Sequence, residues 1–374
     1  MKPTHVHLPE PIHPPWAERQ SEAMPFGERI GIAISRAQRW EFWPAWLYYL
    51  PIIAKILSLG IQHRSATVFT AANPGIRTGG LVGEAKSETL VPLAAHAPDL
   101  VASFALLPQG TLTQRERVAQ AFVEAHGLPC VLKPNVGQRG RGVYIARSVQ
   151  AIRDYLSKFT GELILQRYVG GEEFGVFIAA HPGTDGCEIL SIVNKAFPSV
   201  MGDGRTPLRQ LILADERARL VAPSLFHRWS GKLDEVIPKG KALQLVDIGA
   251  HCRGSLFLDA SSLASPELVA QMRRLTSAVP GFHFGRIDLR VPDAHALQAG
   301  QGIQVLEING VGAESAHIYH PDTPLMVGYQ AMFRQWELAF EIGAHNARQG
   351  AKQTRVSVLL KGFLKDLRAG KRWF

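Results

Sequence analysis

The sequence predicts a mixed protein, α+β / α/β in class, built on antiparallel sheets with helices around them and preceded by a small α/β domain. Three observations carry this. A strand–loop–strand–helix–strand–strand order runs through residues 130–180. The neighbouring helices have recognisable start and stop residues. Two later strand patterns, 284–291 and 303–309, alternate apolar with polar side chains. At 374 residues, the chain has room for two to three domains of roughly 150 residues each.

Residues 1–27 are rich in Pro and His and read as an extended arm. Residues 28–110 read as the small α/β domain. Strands are expected at 29–35 (Arg-Ile-Gly-Ile-Ala-Ile-Ser) and 66–70, then a Gly-rich stretch at 73–83 and a helix at 86–95. The apolar run 42–61 is long enough to suggest a membrane span. Pro44, Pro51 and Lys55 interrupt it, and two readings stand. One is a buried or interdomain segment. The other is peripheral contact in the membrane interface, because Trp40, Trp43, Trp46, Tyr48 and Tyr49 cluster at one end.

A central domain is expected over 111–182. Thr113 to Glu116 has the capping-box pattern. Val118, Ala121, Phe122 and Ala125 follow at helical spacing, and Gly127 ends the helix. A strand at 130–133, a glycine loop and a strand at 143–146 come next. Ser148 opens a helix to Phe159, and strands follow at 163–166 and 174–180. A third domain is expected over 183–350. It holds a strand at 189–195, a helix from Pro207, a helix at 266–279 and the two polar strands. Its last helix has Thr323 as cap and Pro324 at the first position. Residues 351–374 read as a basic tail.

Apolar residues make up 46% and charged residues 20%, which is ordinary for a globular protein. The net charge of +9 fits binding of polyphosphate. There is no recognisable nucleic-acid module and no aromatic–basic interleaving, so no nucleic-acid partner is expected. Cys130, Cys187 and Cys252 are odd in number, far apart and without a CxxC pair. This argues against a zinc site and a disulfide framework and fits a reducing compartment. The N-terminus lacks a secretory pattern, so a cytoplasmic location is expected, with membrane association if the interfacial reading of 42–61 holds.

The chemistry concentrates in separated pieces. Strand side chains alternate faces, so Glu307 and Asn309 share one face and Arg286 and Asp288 share another. If the strands are neighbours, two carboxylates and an amide oxygen converge beside an arginine. That donor set suits magnesium, which fills its octahedron with water and phosphate oxygens. The loop Gly137-Gln138-Arg139-Gly140-Arg141-Gly142 lets backbone N–H groups approach phosphate, with Lys133 just before it. Neither a P-loop nor a Gly-x-Gly-x-x-Gly pattern is present. Glu172 and Glu173 follow a glycine pair, and Glu173 could accept hydrogen bonds from ribose hydroxyls. A surface turn is the alternative. His251-Cys252-Arg253 and His317, Tyr319 and His320 are further polar groups. A Cys–His nucleophile would need an orienting partner, and His251 and Arg253 better suit an acidic substrate. Gly310 is assigned to the substrate with them.

Over residues 113–320 these pieces resemble the ATP-grasp superfamily, near its D-alanine–D-alanine ligases and the ATP-grasp portion of cyanophycin synthetase. Lys133-Pro134 and the 137–142 loop are similar to the family's phosphate-covering hairpin. Gln166, Arg167, Tyr168 and Val169 resemble the hinge that reads adenine, and Glu173 its ribose-binding glutamate. Lys86 and Lys195 resemble nucleotide-site lysines. Met201-Gly202-Asp203-Gly204-Arg205 is similar to a segment of the cyanophycin type. Asp288, Glu307 and Asn309 match the magnesium ligands, and Arg286 the oxyanion-holding arginine. Gln166-Arg167 departs from the acidic–basic pair frequent in the family. The resemblance implies ATP and Mg2+, with one or two ions and Mn2+ able to substitute. It implies an enzyme joining a small-molecule or peptide carboxylate to an amine, with Arg286, Lys133 and Lys195 at the chemistry. A thiol ligase or kinase, a non-catalytic nucleotide-binding protein at a membrane surface, and a homo-oligomer stay open.

Overall fold

The computed structural model describes residues 24–137, 140–184, 186–249 and 255–370, with side chains as far as 366. The chain forms two compact units. The smaller takes in residues up to 48 and 195–256, and the larger takes in 49–194 and the chain from 257 onward.

In chain order the first elements are α1 (Phe26–Ala37), α2 (Ala45–Gln62), α3 (Lys86–His96), β1 (Phe104–Leu107) and α4 (Leu112–His126). Next come β2 (Cys130–Pro134), β3 (Tyr144–Ala146), α5 (Val149–Lys158), β4 (Leu163–Arg167), β5 (Glu172–Ala180) and β6 (Cys187–Ala196). The middle elements are β7 (Ser199–Met201), α6 (Leu208–Ala214), α7 (Glu216–Leu220), α8 (Ala222–Arg228), β8 (Ala242–Gln244) and β9 (Leu256–Asp259). The last are α9 (Pro266–Ala278), β10 (Phe284–Val291), α10 (Ala294–Gln298), β11 (Gln304–Asn309), α11 (Leu325–Arg348) and α12 (Val356–Gly370).

In the smaller unit Ile32 of α1 packs with Leu208 and Ile212 of α6, Ala218 of α7, and Leu225 and Phe226 of α8. Arg217 is paired with Glu41 through both terminal guanidinium nitrogens, Nη1 and Nη2. Its guanidinium lies 5.2 Å from the Phe42 ring centre, and that of Arg36 lies 5.0 Å from it. β7 and β8 form a two-stranded ribbon. The Gly202-Asp203-Gly204 segment closes on itself. Asp203 Oδ1 accepts from the Arg205 and Thr206 N–H groups at 2.8 and 2.7 Å. The Thr206 hydroxyl and these N–H groups pull the Asp203 carboxyl down to about 2.

The larger unit holds two antiparallel sheets. One has the order β1-β4-β2-β3 and the other β11-β10-β5-β6-β9. Phe174, Val176 and Ile178 of β5 and Ile287, Leu289 and Val291 of β10 gather with Leu268, Met272 and Leu275 of α9 in one apolar core. By strand alternation, Glu173, Gly175, Arg286, Asp288 and Arg290 are left to the opposite face. The sequence therefore divides this sheet into a core face and a charged face.

Several sequence expectations need correction. Residues 29–35 are helical, inside α1. Their isoleucines alternate, but Phe26, Ile30 and Ile34 also recur at helical spacing. Glu28 in the first turn and Arg36 in the last complement the helix dipole. Residues 66–70 run into a buried 3₁₀ turn at Val68–Ala72. Phe69 is held there between Trp336 and Phe340, at centroid distances of 5.3 Å to each. Among the described residues, 28–110 thus supply one strand, β1, and it pairs with β4 rather than forming a separate sheet. The capping box of α4 uses Thr111 and Gln114 rather than Thr113 and Glu116. The last long helix starts one residue later than expected, with Pro324 as its cap. Residues 351–374 were expected as a tail, yet α12 occupies Val356–Gly370.

The aromatic run is part packed and part exposed. Trp40 stacks on Tyr48 at 5.1 Å, and Trp43 Nε1 donates to the Ala37 carbonyl at 2.8 Å. α2 buries Tyr48, Ile52 and Leu59 but exposes Trp46, Leu50, Ile53, Leu57 and Ile61. The reading of 42–61 as a buried segment therefore fits one face only.

Gly285 lies at the end of the β10–β11 ladder, against the Asn309 backbone. Its φ is +150°, and a Cβ there would lie 2.0 Å from the Asn309 carbonyl oxygen. Neither backbone can give way without breaking the pairing. Gly285→Ala should destabilise the fold by about 3 kcal/mol or more, read as a lowered urea midpoint. A change under about 0.5 kcal/mol, within the range of surface substitutions, would show that the ladder can open there.

Candidate active site

The register of β10 on β11 sets Asp288 opposite Glu307 and Arg286 opposite Asn309. The convergence expected from alternation is present. Arg286 Nε donates to Asp288 Oδ1 at 3.0 Å, and its Nη1 donates to the Glu314 carbonyl at 3.2 Å. Asn309 Nδ2 donates to Asp288 Oδ2 at 3.2 Å. Burial pulls the Arg286 pKa down, but Asp288, Glu307 and Glu84 outweigh it and hold the group above its ordinary value. On the other side of β10, Gly175 faces Asp288. A Cβ there would come within 3.1 Å of Asp288 Oδ1, so the glycine leaves room for the carboxylate.

Lys133, near the end of β2, reaches both sheets. Its Nζ donates to Gln166 Oε1 of β4 at 2.8 Å and to the Leu306 carbonyl of β11 at 2.7 Å. Burial pushes its pKa down to about 8, with Glu307 opposing and Lys86 adding to the fall. Lys86 opens α3. It pairs with Glu307 at 3.2 Å and donates to the Gly137 carbonyl at 2.8 Å, so it joins the glycine loop to β11. Gln138 and Arg139 lie outside the described residues, and Arg141 is exposed. Gly140 and Gly142 have φ of +67° and +72°, and the Tyr155 hydroxyl donates to the Gly142 carbonyl at 2.6 Å.

The expected hinge is held from within. Gln166 points its amide at Lys133 and at the Ala102 carbonyl, the latter at 3.3 Å. Arg167 Nη2 donates to Gln304 Oε1 at 3.0 Å. Arg290 donates to the Val169 carbonyl at 2.5 Å and to Glu173 at 3.0 Å, and lies over the Tyr168 ring at 5.1 Å. Glu173 is therefore engaged by a buried guanidinium. Lys195 is buried near the end of β6, where the chain leaves the larger unit. His251 and Arg253 lie outside the described residues. Of the later polar group, Tyr319 borders the site, since its hydroxyl donates to Glu314 Oε2 at 2.6 Å.

Three features escaped the sequence reading. Arg290 follows Asp288 by two residues, so alternation alone would have put it on the charged face. Glu84 accepts from the Gly310 N–H at 3.3 Å. Burial first, then Glu307, push its carboxyl up to about 7. Asn73 donates to the Gly79 and Phe284 carbonyls at 3.0 and 2.7 Å and accepts from the His283 and Phe284 N–H groups, both at 2.9 Å. This amide fixes the Gly-rich stretch against β10, and no local pattern announces it.

Among the described residues no group of three His, Cys, Asp or Glu side chains offers a metal site. The candidate donors are two carboxylates and one amide. These are hard oxygens, the set magnesium takes, once the Asn309 amide turns its oxygen toward Asp288.

No family model matches the chain. Cyanophycin synthetase of Synechocystis sp. is 22% identical over 238 residues, 57% of this chain and 26% of that protein. The vancomycin C-type resistance protein VanC2 of Enterococcus casseliflavus is 24% identical over 216 residues, 52% of this chain and 61% of that protein. The D-alanine–D-alanine ligase of Bacillus anthracis covers 73% of this chain and 69% of its own, with 14% identity and a TM-score of 0.42. The chain thus spans only part of the length of the curated relatives it matches. It is similar to ATP-grasp ligases, and it has the mixed α/β architecture with antiparallel sheets that this similarity implies.

Lys133 provides a test of the site's electrostatics. Its folded pKa of about 8 lies below the ordinary 10.5. Between those values the unfolded chain holds the proton more tightly, so folding gains stability as pH rises. Relative to Lys133→Met, which cannot titrate, the wild type should gain up to about 3 kcal/mol over that window. Chemical denaturation at a series of alkaline pH values measures it. A constant difference between the two proteins would mean an unshifted ammonium.

Proposed function

We propose that this chain is an ATP-dependent carboxylate–amine ligase of the ATP-grasp type. The observation that carries the reading is the register pair Asp288–Glu307, with Arg286, Lys86 and Lys133 around it. The similarity to cyanophycin synthetase and VanC2 supports it.

In this reading Asp288, Glu307 and Asn309 hold magnesium, which when bound neutralises phosphate charge. The glycine loop covers the phosphates, and Lys133 and Lys86 place their ammonium groups against them. Tyr168 and Val169, fixed by Arg290, border the adenine, and Glu173 lies at the ribose. A substrate carboxylate oxygen attacks the terminal phosphorus. The bridging P–O bond breaks and its electron pair leaves with ADP, giving an acyl phosphate. The amine lone pair then attacks the acyl carbon, phosphate departs with the C–O pair, and the amine loses a proton. Arg286 faces the negative charge that grows in both steps, so it stabilises the transition states electrostatically.

Glu307→Gln and Asp288→Asn should each lower acceptor-dependent ADP release by about a hundredfold or more, while far-UV circular dichroism stays unchanged. Near-normal turnover in either variant would remove the metal assignment. Screening amino acids and dipeptides for ADP release identifies the substrates. Adding hydroxylamine with ATP and the correct acid should then yield a hydroxamate. AMP and pyrophosphate as products would mean an adenylate and would rule out the acyl phosphate.

A further inference from the structure

Two helices, α2 and α12, present apolar faces that no described residue covers. On α2, Leu50, Ile53, Leu57 and Ile61 are exposed, the last at 80%. Their spacing of three or four residues makes one stripe. The opposite face is anchored. Ile52 and Leu59 are buried, Lys55 pairs with Glu337 of α11 at 2.6 Å, and His63 lies 5.5 Å from the Phe340 ring. α2 therefore packs one side against α11 and leaves the stripe exposed.

α12 repeats the arrangement. Leu359 is buried, and Gly362 sits against Val82, where a Cβ would come within 2.8 Å. Val356, Leu360, Phe363 and Leu364 are exposed on a neighbouring face. Lys361 and Lys365, one turn apart, are exposed beside that stripe. The approach to α12 is tied to the segment after α2: Ser65 Oγ donates to Gln353 Oε1 at 2.5 Å, and Thr354 N to Thr70 Oγ1 at 2.9 Å.

The charge beside the α12 stripe is mainly positive: residues 351–366 contain Lys352, Arg355, Lys361 and Lys365 against Asp366. Beside α2, Arg64 adds a cation, while Lys55 is held by Glu337. A second copy docked here would set cations against cations. An anionic lipid surface matches both the apolar stripes and the lysines.

We propose that α2 and α12 form a peripheral docking face for an anionic membrane, with Leu50, Ile53, Leu57, Ile61, Leu360 and Phe363 entering the interface. The inference stands apart from the ligase reading, since these residues lie outside the charged cluster.

The test is flotation of the full chain with vesicles of phosphatidylcholine, with or without roughly a third of phosphatidylserine. The protein should float with the anionic vesicles only and be released at high salt. Lys361→Glu with Lys365→Glu, and separately Leu57→Gln with Leu360→Gln, should each weaken vesicle binding about tenfold or more. All four sites are exposed, so the fold should keep its circular dichroism and urea midpoint. Four outcomes would overturn the proposal: no flotation with either vesicle, equal flotation with both, binding indifferent to both double variants, or a dimer in light scattering that Leu57→Gln dissociates.

Discussion

A buried ammonium holds the two sheets of the larger unit together. Lys133 belongs to one sheet, yet one of its acceptors is the Leu306 carbonyl of the other. Burying an ammonium is costly unless its protons find partners, so this lysine fixes where β2, β4 and β11 approach. The neighbouring backbone enforces the same approach. Val101 bridges Val305, Ala102 N donates to the Val305 carbonyl at 3.1 Å, and Arg167 N donates to the Ser103 carbonyl at 2.8 Å. Gln166 completes the arrangement by meeting both Lys133 and Ala102.

Around that lysine the charges are sorted into pairs: Lys86 with Glu307, Arg286 with Asp288, and Arg290 with Glu173. Lys133 and Glu84 are both moved toward neutrality, to about 8 and about 7. Both shifts begin with burial. A low-dielectric site that leaves one cation and one anion poised in this way gains from a ligand bringing both signs. A metal–polyphosphate complex is such a ligand, whereas an apolar ligand would add to the desolvation already present.

The shared faces of β10 and β11 were legible because they follow from alternation. Arg286, Asp288, Glu307 and Asn309 needed only the period of two and the assumption that their strands are neighbours. Helix starts were less legible, because Thr-Leu-Thr-Gln-Arg-Glu offers two capping frames, and the frame used depends on where Gln114 can reach back. The isoleucines of 29–35 fit two periods at once, and packing against α6, α7 and α8 decided between them. Glu84, Arg290 and Asn73 act through partners far away in sequence, in the case of Asn73 over 200 residues away. No local pattern carries such a pairing. The mixed character of α2 was visible as apolar residues broken by Lys55. Which face is covered depended on α11, nearly 300 residues later.

The stretch before α3 shows why the site is a long-range construction. Gly79 and Gly80 have φ of +67° and +80° and run against the backbone after β11. Val311 N and Gly312 N donate to their carbonyls, each at 3.0 Å. A Cβ on Gly80 would sit 2.5 Å from Gly310 Cα, so the contact is backbone on backbone and tolerates no side chain. This approach delivers Glu84 to the Gly310 N–H and, two residues later, Lys86 to Glu307. The segment before α3 is thus a wall of the charged cluster. Its glycines set the distance at which one carboxylate and one ammonium from the first quarter of the chain meet a strand from the last.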